Sequence, residues 1–213
     1  YQLYEGLIAQ QHRGQDACGI ITGSTNNSKK YRVRGLGLVR NIFNSKVLQK
    51  MEGNMGIGHV RYPTEGAKTT KEIQPFYIKL PFGISLCHNG NIINMDEIRE
   101  KIPHIVNESS SDSELLLHYI SKLMLIEIES ITKESESMDN IVKTVIKKVM
   151  NTVQGSYSVI MMLNNYGLVA FRDKRGIRPL ILGKQNTNYC ICSESVALDV
   201  LDYTLVRDIL PGE

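Results

Sequence analysis

Three short segments of the chain carry groups that could bind and cleave a small amide. They are Gly58-His59-Val60-Arg61-Tyr62-Pro63-Thr64, Cys87-His88-Asn89-Gly90-Asn91 and Ser111-Asp112-Ser113-Glu114. A guanidinium such as that of Arg61 can hold an α-carboxylate through two N–H groups, and a desolvated carboxylate such as that of Asp112 can hold an α-ammonium. An Asn-Gly pair can donate to an oxyanion. These residue types together suit the recognition and cleavage of a zwitterionic amide such as free glutamine.

The elements that must position these groups are indicated by periodicity and turn chemistry. Strand-like runs are expected at 19–22, 31–39, 55–61, 76–80 and 84–88, which puts Arg61 and Asn89 at strand ends. Ser111 with Glu114 resembles a capping box, so a helix is expected from there to about residue 125 with Asp112 in its first turn. A similar start at Asn94 predicts a helix over 94–102.

The remaining pattern predicts the fold class. A first helix should run to about Arg13, with Gly14 as its stop. After a solvated loop or frayed helix end at 127–137, a second long helix is expected, followed by strands at 157–163, 168–172, 180–183 and 189–193. Strands, two long helices and strands again favour an α+β fold with two antiparallel sheets and helices packed outside them. We expect one domain over residues 1–213.

Composition and charge exclude several classes of function. The chain has 213 residues, 42% hydrophobic and 22% charged, which is ordinary for a soluble protein. A net charge of +3 is too small to indicate nucleic-acid binding, and the group Lys143, Lys147 and Lys148 is interpreted as a solvated helix face. No apolar run has membrane-spanning length, and no signal peptide is visible, so we expect a cytoplasmic protein without a membrane partner.

The four cysteines are interpreted as packing residues. Cys18 lies in an apolar run, 17–21, that is typical of a buried strand, and no neighbouring cation would lower its pKa. Cys190 and Cys192 would share one face of a strand, where small apolar side chains pack, and a metal site there is the weaker alternative. Neither a disulfide framework nor zinc-ligand spacing is indicated.

Several segments occur in an order that resembles a known family. They are Gln11-His12-Arg13-Gly14-Gln15-Asp16, Gly56 to Thr64, Gln74-Pro75-Phe76, His88-Asn89-Gly90-Asn91, Ser111-Asp112-Ser113-Glu114, Phe171-Arg172-Asp173, Gly176-Ile177-Arg178-Pro179-Leu180, Ser193-Glu194-Ser195 and Ala197-Leu198-Asp199. This set resembles the glutaminase domain of amidophosphoribosyltransferases. The resemblance implies a class II glutamine amidotransferase with the N-terminal-nucleophile hydrolase fold, a four-layer αββα sandwich.

The resemblance also implies roles for the site residues. The Asn89 side-chain amide and the Gly90 N–H would form the oxyanion hole, although an isolated Asn-Gly pair is more often a hairpin turn. Arg61 would hold the α-carboxylate of glutamine and Asp112 its α-ammonium. Tyr62 and Thr64 would begin a glutamine loop that extends to about Glu72 and closes over the substrate. Glu65 stands where the family often has a small residue.

Two further parts of the enzyme are implied outside the given sequence. The nucleophile of the family is a Cys that becomes the first residue of the mature chain and uses its own α-amino group as base, and we expect it upstream of Tyr1. A phosphoribosyltransferase domain with its Mg²⁺ is expected after Glu213, whereas no cofactor is expected in the glutaminase domain. We also expect a homo-oligomer.

The sequence therefore predicts hydrolysis of glutamine to glutamate, with the ammonia delivered to 5-phosphoribosyl pyrophosphate for purine synthesis. One alternative is the glutaminase domain of a hexosephosphate aminotransferase, and another is a glutamine-binding module without catalysis. The segment around His12 and Arg13 is interpreted as a structural turn that supports the N-terminal strand. Arg172, Asp173, Arg175 and Arg178 are expected to pair internally rather than to bind phosphate.

Overall fold

Residues 1–62, 70–130 and 137–213 are described by a computed structural model. The helices are α1 (Gln2–Ala9), α2 (Val39–Ile42), α3 (Ser45–Leu48), α4 (Met95–Lys101), α5 (Asp112–Glu129), α6 (Met138–Thr152) and α7 (Val196–Val200). The strands are β1 (Ala17–Ser24), β2 (Asn27–Leu36), β3 (Met55–Arg61), β4 (Phe76–Ile78), β5 (Ile84–Ile92), β6 (Gly155–Leu163), β7 (Gly167–Arg172), β8 (Ile181–Gln185), β9 (Asn188–Cys192) and β10 (Thr204–Asp208). Single 3-10 turns lie at Gln11–Arg13 and Thr70–Glu72.

All pairings between the described strands are antiparallel. A four-stranded sheet has the order β4-β5-β6-β7, and two three-stranded sheets have the orders β2-β1-β3 and β10-β8-β9. β3 and β9 are thus edge strands of different sheets. An edge strand leaves one row of main-chain N–H and C=O groups without strand partners.

The largest core lies between the four-stranded sheet and the pair α5 and α6. Leu116 and Ile120 of α5 and Val145 and Val149 of α6 are almost completely buried and belong to one cluster with Val159 of β6. The helical spacing of these apolar residues makes one face of each helix a stripe that must be covered. Burial of this stripe fixes the two long helices on the outer face of the sheet.

A second apolar layer joins the four-stranded sheet to the sheet that contains β3. Ile21 and Ile57 face Cys87 and Met162 in a buried cluster. On the far side, α1 packs against β3 and α7, and α7 in turn packs against β9 and β10. The order is helices, sheet, sheet, helices, which confirms the predicted α+β fold with four αββα layers. One of the two β-layers is divided into two three-stranded sheets.

Several short elements differ from the sequence prediction. The strand expected over 31–39 ends at Leu36, because Gly37 has φ +113° and Val39 begins α2. The helices α2, α3 and α7 have four or five residues, too few to show a helical period. β10 is exposed at all five positions, so it has no alternation to detect. These four elements were not predicted.

The helix ends also differ in detail. α1 stops at Ala9 and the chain continues as the Gln11–Arg13 turn, so the first helix is shorter than expected. α5 extends to Glu129, beyond the expected end near residue 125. Asn94 does precede α4, but its side chain bonds Glu97 and the main chain of Thr152 and Gln154 instead of capping the helix. No helix among the described residues is long and apolar enough to cross a membrane.

The packing of α5 generates a stability prediction. Leu116 is completely buried in the main core, so Leu116→Ala should lower the free energy of unfolding by about 2–5 kcal/mol through lost burial and a cavity. Ile126 on the same helix is 43% exposed, and Ile126→Ala should cost less than about 1 kcal/mol. Urea titration followed by circular dichroism measures both values. Equal losses in the two variants would contradict the position assigned to α5.

Candidate functional site

The structure brings four of the predicted site residues to one cleft. Arg61 is the last residue of β3, Asn89 and Gly90 lie in β5, and Asp112 is the first residue of α5. All four line a cleft of about 1880 Å³, as does Tyr62. The Tyr62 side chain is 67% exposed at the cleft. Thr64 and Glu65 lie outside the described residues.

Arg61 is held at its main chain by the segment that follows the Gln11–Arg13 turn. A Cβ atom on Gly14 would lie 2.4 Å from the Arg61 carbonyl carbon, so only glycine allows this approach. Gly14 itself is extended and follows the Gln11–Arg13 turn, whereas α1 already ends at Ala9, so Gly14 is not the stop of the first helix that the sequence predicted. The Asp16 N–H donates to the Arg61 carbonyl oxygen at 3.2 Å. At its side chain, Arg61 donates through Nη2 to the Glu72 carboxylate.

The Asn89-Gly90 pair lies inside β5 and not in a turn. Asn89 is paired with Ser158 and Gly90 with Tyr157, so the hairpin alternative is wrong, as is the expectation that the strand stops before Asn89. Gly90 has φ +157°, and a Cβ there would lie 1.9 Å from the Ser156 carbonyl oxygen. Glycine is thus required at this position.

The Asn89 side chain has an unused donor. Its Nδ2 atom is buried and has no hydrogen-bond partner among the described residues. A buried donor without a partner costs about 1–3 kcal/mol, and a ligand that supplies the acceptor is one explanation for such a donor. This geometry fits the oxyanion role that was predicted for Asn89.

Asp112 is fixed at the start of α5. Ser111 caps the helix by accepting from the Ser113 N–H at 3.3 Å, and one oxygen of Asp112 accepts from the Ile92 N–H at 3.0 Å. Burial by itself would raise the pKa of Asp112, but contacts with His88, Ile92 and Ser113 outweigh it and hold that pKa below its usual value. The carboxylate is therefore ionised near neutral pH and can attract an ammonium group.

A buried polar network connects these positions, and the sequence analysis assigned no role to it. The Gln74 side chain accepts from the His88 N–H at 2.6 Å and donates to the His88 carbonyl oxygen and to Ser113 Oγ, both at 3.1 Å. His88 Nδ1 lies 2.9 Å from Ser113 Oγ and 3.7 Å from an Asp112 oxygen. The motif Gln74-Pro75-Phe76 was the available signal for this network.

Two histidines line the site, His59 partly buried and His88 almost completely buried. Desolvation, together with the neighbouring His88, lowers the pKa of His59 to about 4, so its imidazole is neutral near neutral pH. His88 is 3% exposed, and its Nε2 atom lacks a partner among the described residues. A Cβ atom on Gly90 would lie 2.8 Å from this Nε2, which places the imidazole directly beside the Asn89-Gly90 segment.

None of the four cysteines has the environment of an activated nucleophile at the Asn-Gly segment. Cys18 and Cys87 are buried, and desolvation raises the pKa of both, that of Cys18 to about 11. Cys190 and Cys192 lie in β9 against the cluster under α7. A hydrogen bond between their thiols lowers the pKa of Cys190 and raises that of Cys192. No group of three potential metal ligands occurs among the described His, Cys, Asp and Glu side chains.

Two other charged segments make mainly structural contacts. His12 Nε2 lies 2.8 Å from Glu194, and Arg13 pairs with the same carboxylate, so the Gln11–Arg13 turn is tied to the end of β9. The expected internal ion pairing of Arg172 and Asp173 is wrong in detail. Arg172 donates to the carbonyl oxygens of residues 176 and 209, and Asp173 accepts main-chain N–H groups of residues 157 and 175.

Comparison with known proteins identifies the family. A family model for a glutamine amidotransferase domain matches residues 59–200, which include Arg61, the Asn89-Gly90 pair and Asp112. The chain belongs to the glutamine amidotransferase domain family. It is 43% identical to the amidophosphoribosyltransferase of Escherichia coli (strain K12) over 221 aligned residues, with 99% of this chain and 42% of that protein covered. It is 40% identical to the amidophosphoribosyltransferase of Schizosaccharomyces pombe, covering all of this chain and 40% of the relative.

Solved structures support the same family. A glutamine phosphoribosylpyrophosphate amidotransferase from B. subtilis, complexed with ADP and GMP, has 28% sequence identity and a TM-score of 0.79 over 99% of this chain. A structure described as the allosteric regulatory enzyme of purine biosynthesis has a TM-score of 0.82 at the same identity. The amidotransferase domain thus has the N-terminal-nucleophile hydrolase fold. The chain spans 42% of the length of either structure, less than half of these relatives.

The unused donor of Asn89 generates a kinetic prediction for this amidotransferase domain. Asn89→Ala, made in the natural protein at its full length, should lower kcat for glutamine hydrolysis by about 100- to 1000-fold and leave KM nearly unchanged, because an oxyanion donor acts in the transition state. Asn151→Ala is the matched control, since Asn151 is an exposed residue of α6 that contacts Lys174. Steady-state assays of glutamate formation measure the effect. Reduced stability with kcat retained would instead make Asn89 a structural residue.

Proposed function

We propose that the chain is the glutaminase domain of an amidophosphoribosyltransferase. It hydrolyses glutamine to glutamate and ammonia, and the ammonia is transferred to 5-phosphoribosyl pyrophosphate to give 5-phosphoribosylamine in purine synthesis. The observation that carries the proposal is the convergence of Arg61, Asn89, Gly90 and Asp112 on one cleft. The acceptor is proposed from the relatives, one of which is a glutamine phosphoribosylpyrophosphate amidotransferase.

Binding of glutamine uses the two charged groups of the cleft. The Arg61 guanidinium holds the α-carboxylate, and the Asp112 carboxylate holds the α-ammonium. Charge-assisted hydrogen bonds of this kind are about twice as strong as neutral ones, and each is selective for one end of the zwitterion. Tyr62, which is exposed at the cleft, contributes to the substrate side of the same site.

Cleavage requires a thiolate that attacks the side-chain amide carbon of glutamine. The resulting oxyanion accepts hydrogen bonds from Asn89 Nδ2 and the Gly90 N–H. Collapse of the tetrahedral intermediate breaks the C–N bond, and the protonated nitrogen leaves as ammonia. A thioester remains, and its hydrolysis by water releases glutamate and regenerates the thiol. Every role in this sequence is filled by a protein group or water, and the proposal assigns no cofactor to this domain.

The nucleophile is proposed to be a terminal Cys on a strand that occupies the cleft. The cleft is lined by all of β3 and by β9, the edge strands of two different sheets. An extended segment that enters it could pair with main-chain groups of either edge. Such a strand would place its first residue near the Asn89-Gly90 segment. The free α-amine of that residue would serve as the base that an internal cysteine lacks.

The remaining partners follow from the same proposal. A phosphoribosyltransferase domain of the same chain, with Mg²⁺ for the pyrophosphate, would accept the ammonia, and the whole protein would be a homo-oligomer. We also propose a cytoplasmic location. The free thiols of the chain, three of which are buried, are ordinary in a reducing compartment.

Substrate recognition gives the first test of the proposal. In the natural protein, Arg61→Ala should lower kcat/KM for glutamine about 10- to 150-fold, because a charge-assisted contact of about 1.5–3 kcal/mol is lost. Asp112→Asn should have a comparable effect. The control is Asp96→Asn, since Asp96 lies on the exposed face of α4 and pairs with Arg99. Glutamine kinetics unchanged in both site variants would remove these residues from the substrate site.

The identity of the nucleophile gives a second test. A diazoketone analogue of glutamine should label the terminal Cys of the natural protein and leave Cys18, Cys87, Cys190 and Cys192 unmodified. Cys18→Ser and Cys190→Ser should retain most glutaminase activity, because their thiols have no α-amine to act as base. Peptide mass spectrometry locates the label. Label on any of the four internal cysteines, with loss of activity in its Ser variant, would contradict the proposed mechanism.

A further inference from the structure

The carboxylate of Glu72 connects the end of β3 to the loop before α5, on two sides of the cleft. One oxygen accepts from Arg61 Nη2, and the other accepts from Ser110 Oγ at 2.8 Å. Arg61 ends β3, while Ser110 precedes α5, the helix that begins with Asp112. Glu72 therefore lies between the residue proposed to hold the α-carboxylate of glutamine and the segment that carries the residue proposed to hold its α-ammonium.

On the Ser110 side of this connection, hydrogen bonds hold the loop before α5 to the helix. The Glu114 carboxylate accepts from the N–H groups of Glu108 and Ser109 at 3.0 and 2.8 Å, and from the Ser109 hydroxyl. Glu114 is 7% exposed and lies in the first turn of α5. The loop before the helix is thus tied to the helix itself. A group that bonds Ser110 is positioned relative to Asp112.

On the other side, the ion pair of Arg61 and Glu72 is largely buried and leaves guanidinium donors free. The side chains of Arg61 and Glu72 are 16% and 17% exposed, so their ion pair is screened less than a surface pair. Among the described residues, Glu72 alone bonds the guanidinium, and it does so at Nη2. A guanidinium has five N–H donors in a planar fork, so donors on Nη1 and Nε remain for a substrate carboxylate.

We infer that Glu72 is a positioning residue that sets the distance between the two charged groups that recognise the amino-acid end of glutamine. The inference rests on the proposed function, since it requires Arg61 to bind the α-carboxylate. An α-amino acid carries both charges on one carbon, so a receptor gains from both contacts only if their spacing is fixed. Glu72 fixes that spacing by joining Arg61 to Ser110 and does not touch the substrate.

The structure also suggests why Glu72 does not simply compete with the substrate. A competing carboxylate would have to leave when glutamine binds, and a largely buried carboxylate without its partner is costly. Glu72 is bonded through both oxygens to two different segments, and the guanidinium has further donors. These contacts are typical of an acid that orients an arginine and not of an acid that blocks it.

Kinetics of the natural full-length protein test the inference. Glu72→Ala should raise KM for glutamine about tenfold and leave kcat within about twofold, as expected when a supporting partner of a binding residue is removed. Glu72→Gln, which keeps the shape and one acceptor, should give a smaller increase. Ser110→Ala should raise KM modestly. The double variant Glu72→Ala/Ser110→Ala should be no worse than Glu72→Ala, because the two residues act through one connection.

A matched inhibitor separates positioning from a general loss of structure. 4-Aminobutanamide is glutamine without its α-carboxylate, so its inhibition constant should be unchanged in Glu72→Ala while KM for glutamine rises. Asp96→Asn is the control, because it removes an acid that pairs with Arg99 away from the cleft. A KM that is unchanged in Glu72→Ala would overturn the inference, and a lowered KM would show competition instead. If the wild-type protein itself does not hydrolyse glutamine, it is the proposed function that fails.

Discussion

The buried carboxamide of Gln74 joins two of the segments on which the site is built, β5 and the start of α5. It pairs with both main-chain groups of His88 on β5 and with the hydroxyl of Ser113 on α5, at distances of 2.6 to 3.1 Å. A primary amide that pairs with one residue's N–H and C=O reproduces the contact of a neighbouring strand. Without it, the buried groups of His88 and Ser113 would lose partners at about 1–3 kcal/mol each. The Asn89-Gly90 segment and the start of α5 are therefore held in a fixed relative position.

The long, periodic elements of the fold could be predicted from the sequence. The apolar stripes of α5 and α6 and the runs that form β3, β6 and β7 each have a period that local sequence shows directly. The elements that were missed have no such period: β10 is exposed throughout, and α2, α3 and α7 are a single turn. The division of one β-layer into two sheets depends on which strand edges meet, and no local pattern contains that information.

The residues of the site could be predicted from the sequence, but the residues that position them could not. Arg61, Asn89, Gly90 and Asp112 carry chemistry that their types indicate, and the structure places them on one cleft. Gln74, Glu72 and Gly14 act through contacts between segments distant in sequence. The motif Gln74-Pro75-Phe76 marks one of these positions, but it does not show which groups the side chain contacts. The Asn89-Gly90 pair shows the opposite case. A pair typical of turns lies inside β5, where Gly90 has φ +157° and no space for a Cβ atom beside Ser156.

The geometry also bears on the alternatives to an amidophosphoribosyltransferase. Arg61 and Asp112 would serve any protein that binds glutamine, including a sensor without catalysis and the glutaminase of a hexosephosphate aminotransferase. The buried, unpaired Nδ2 of Asn89 does not separate these proteins by itself, because it can donate either to the carbonyl oxygen of bound glutamine or to the oxyanion formed on cleavage. The relatives that the chain matches are amidophosphoribosyltransferases, and this favours an enzyme. The choice of ammonia acceptor is different, because the cleft residues proposed to bind glutamine do not identify the acceptor. The proposed acceptor is taken from relatives that match 99% of this chain or more. It therefore depends on the part of those relatives that this chain does not cover.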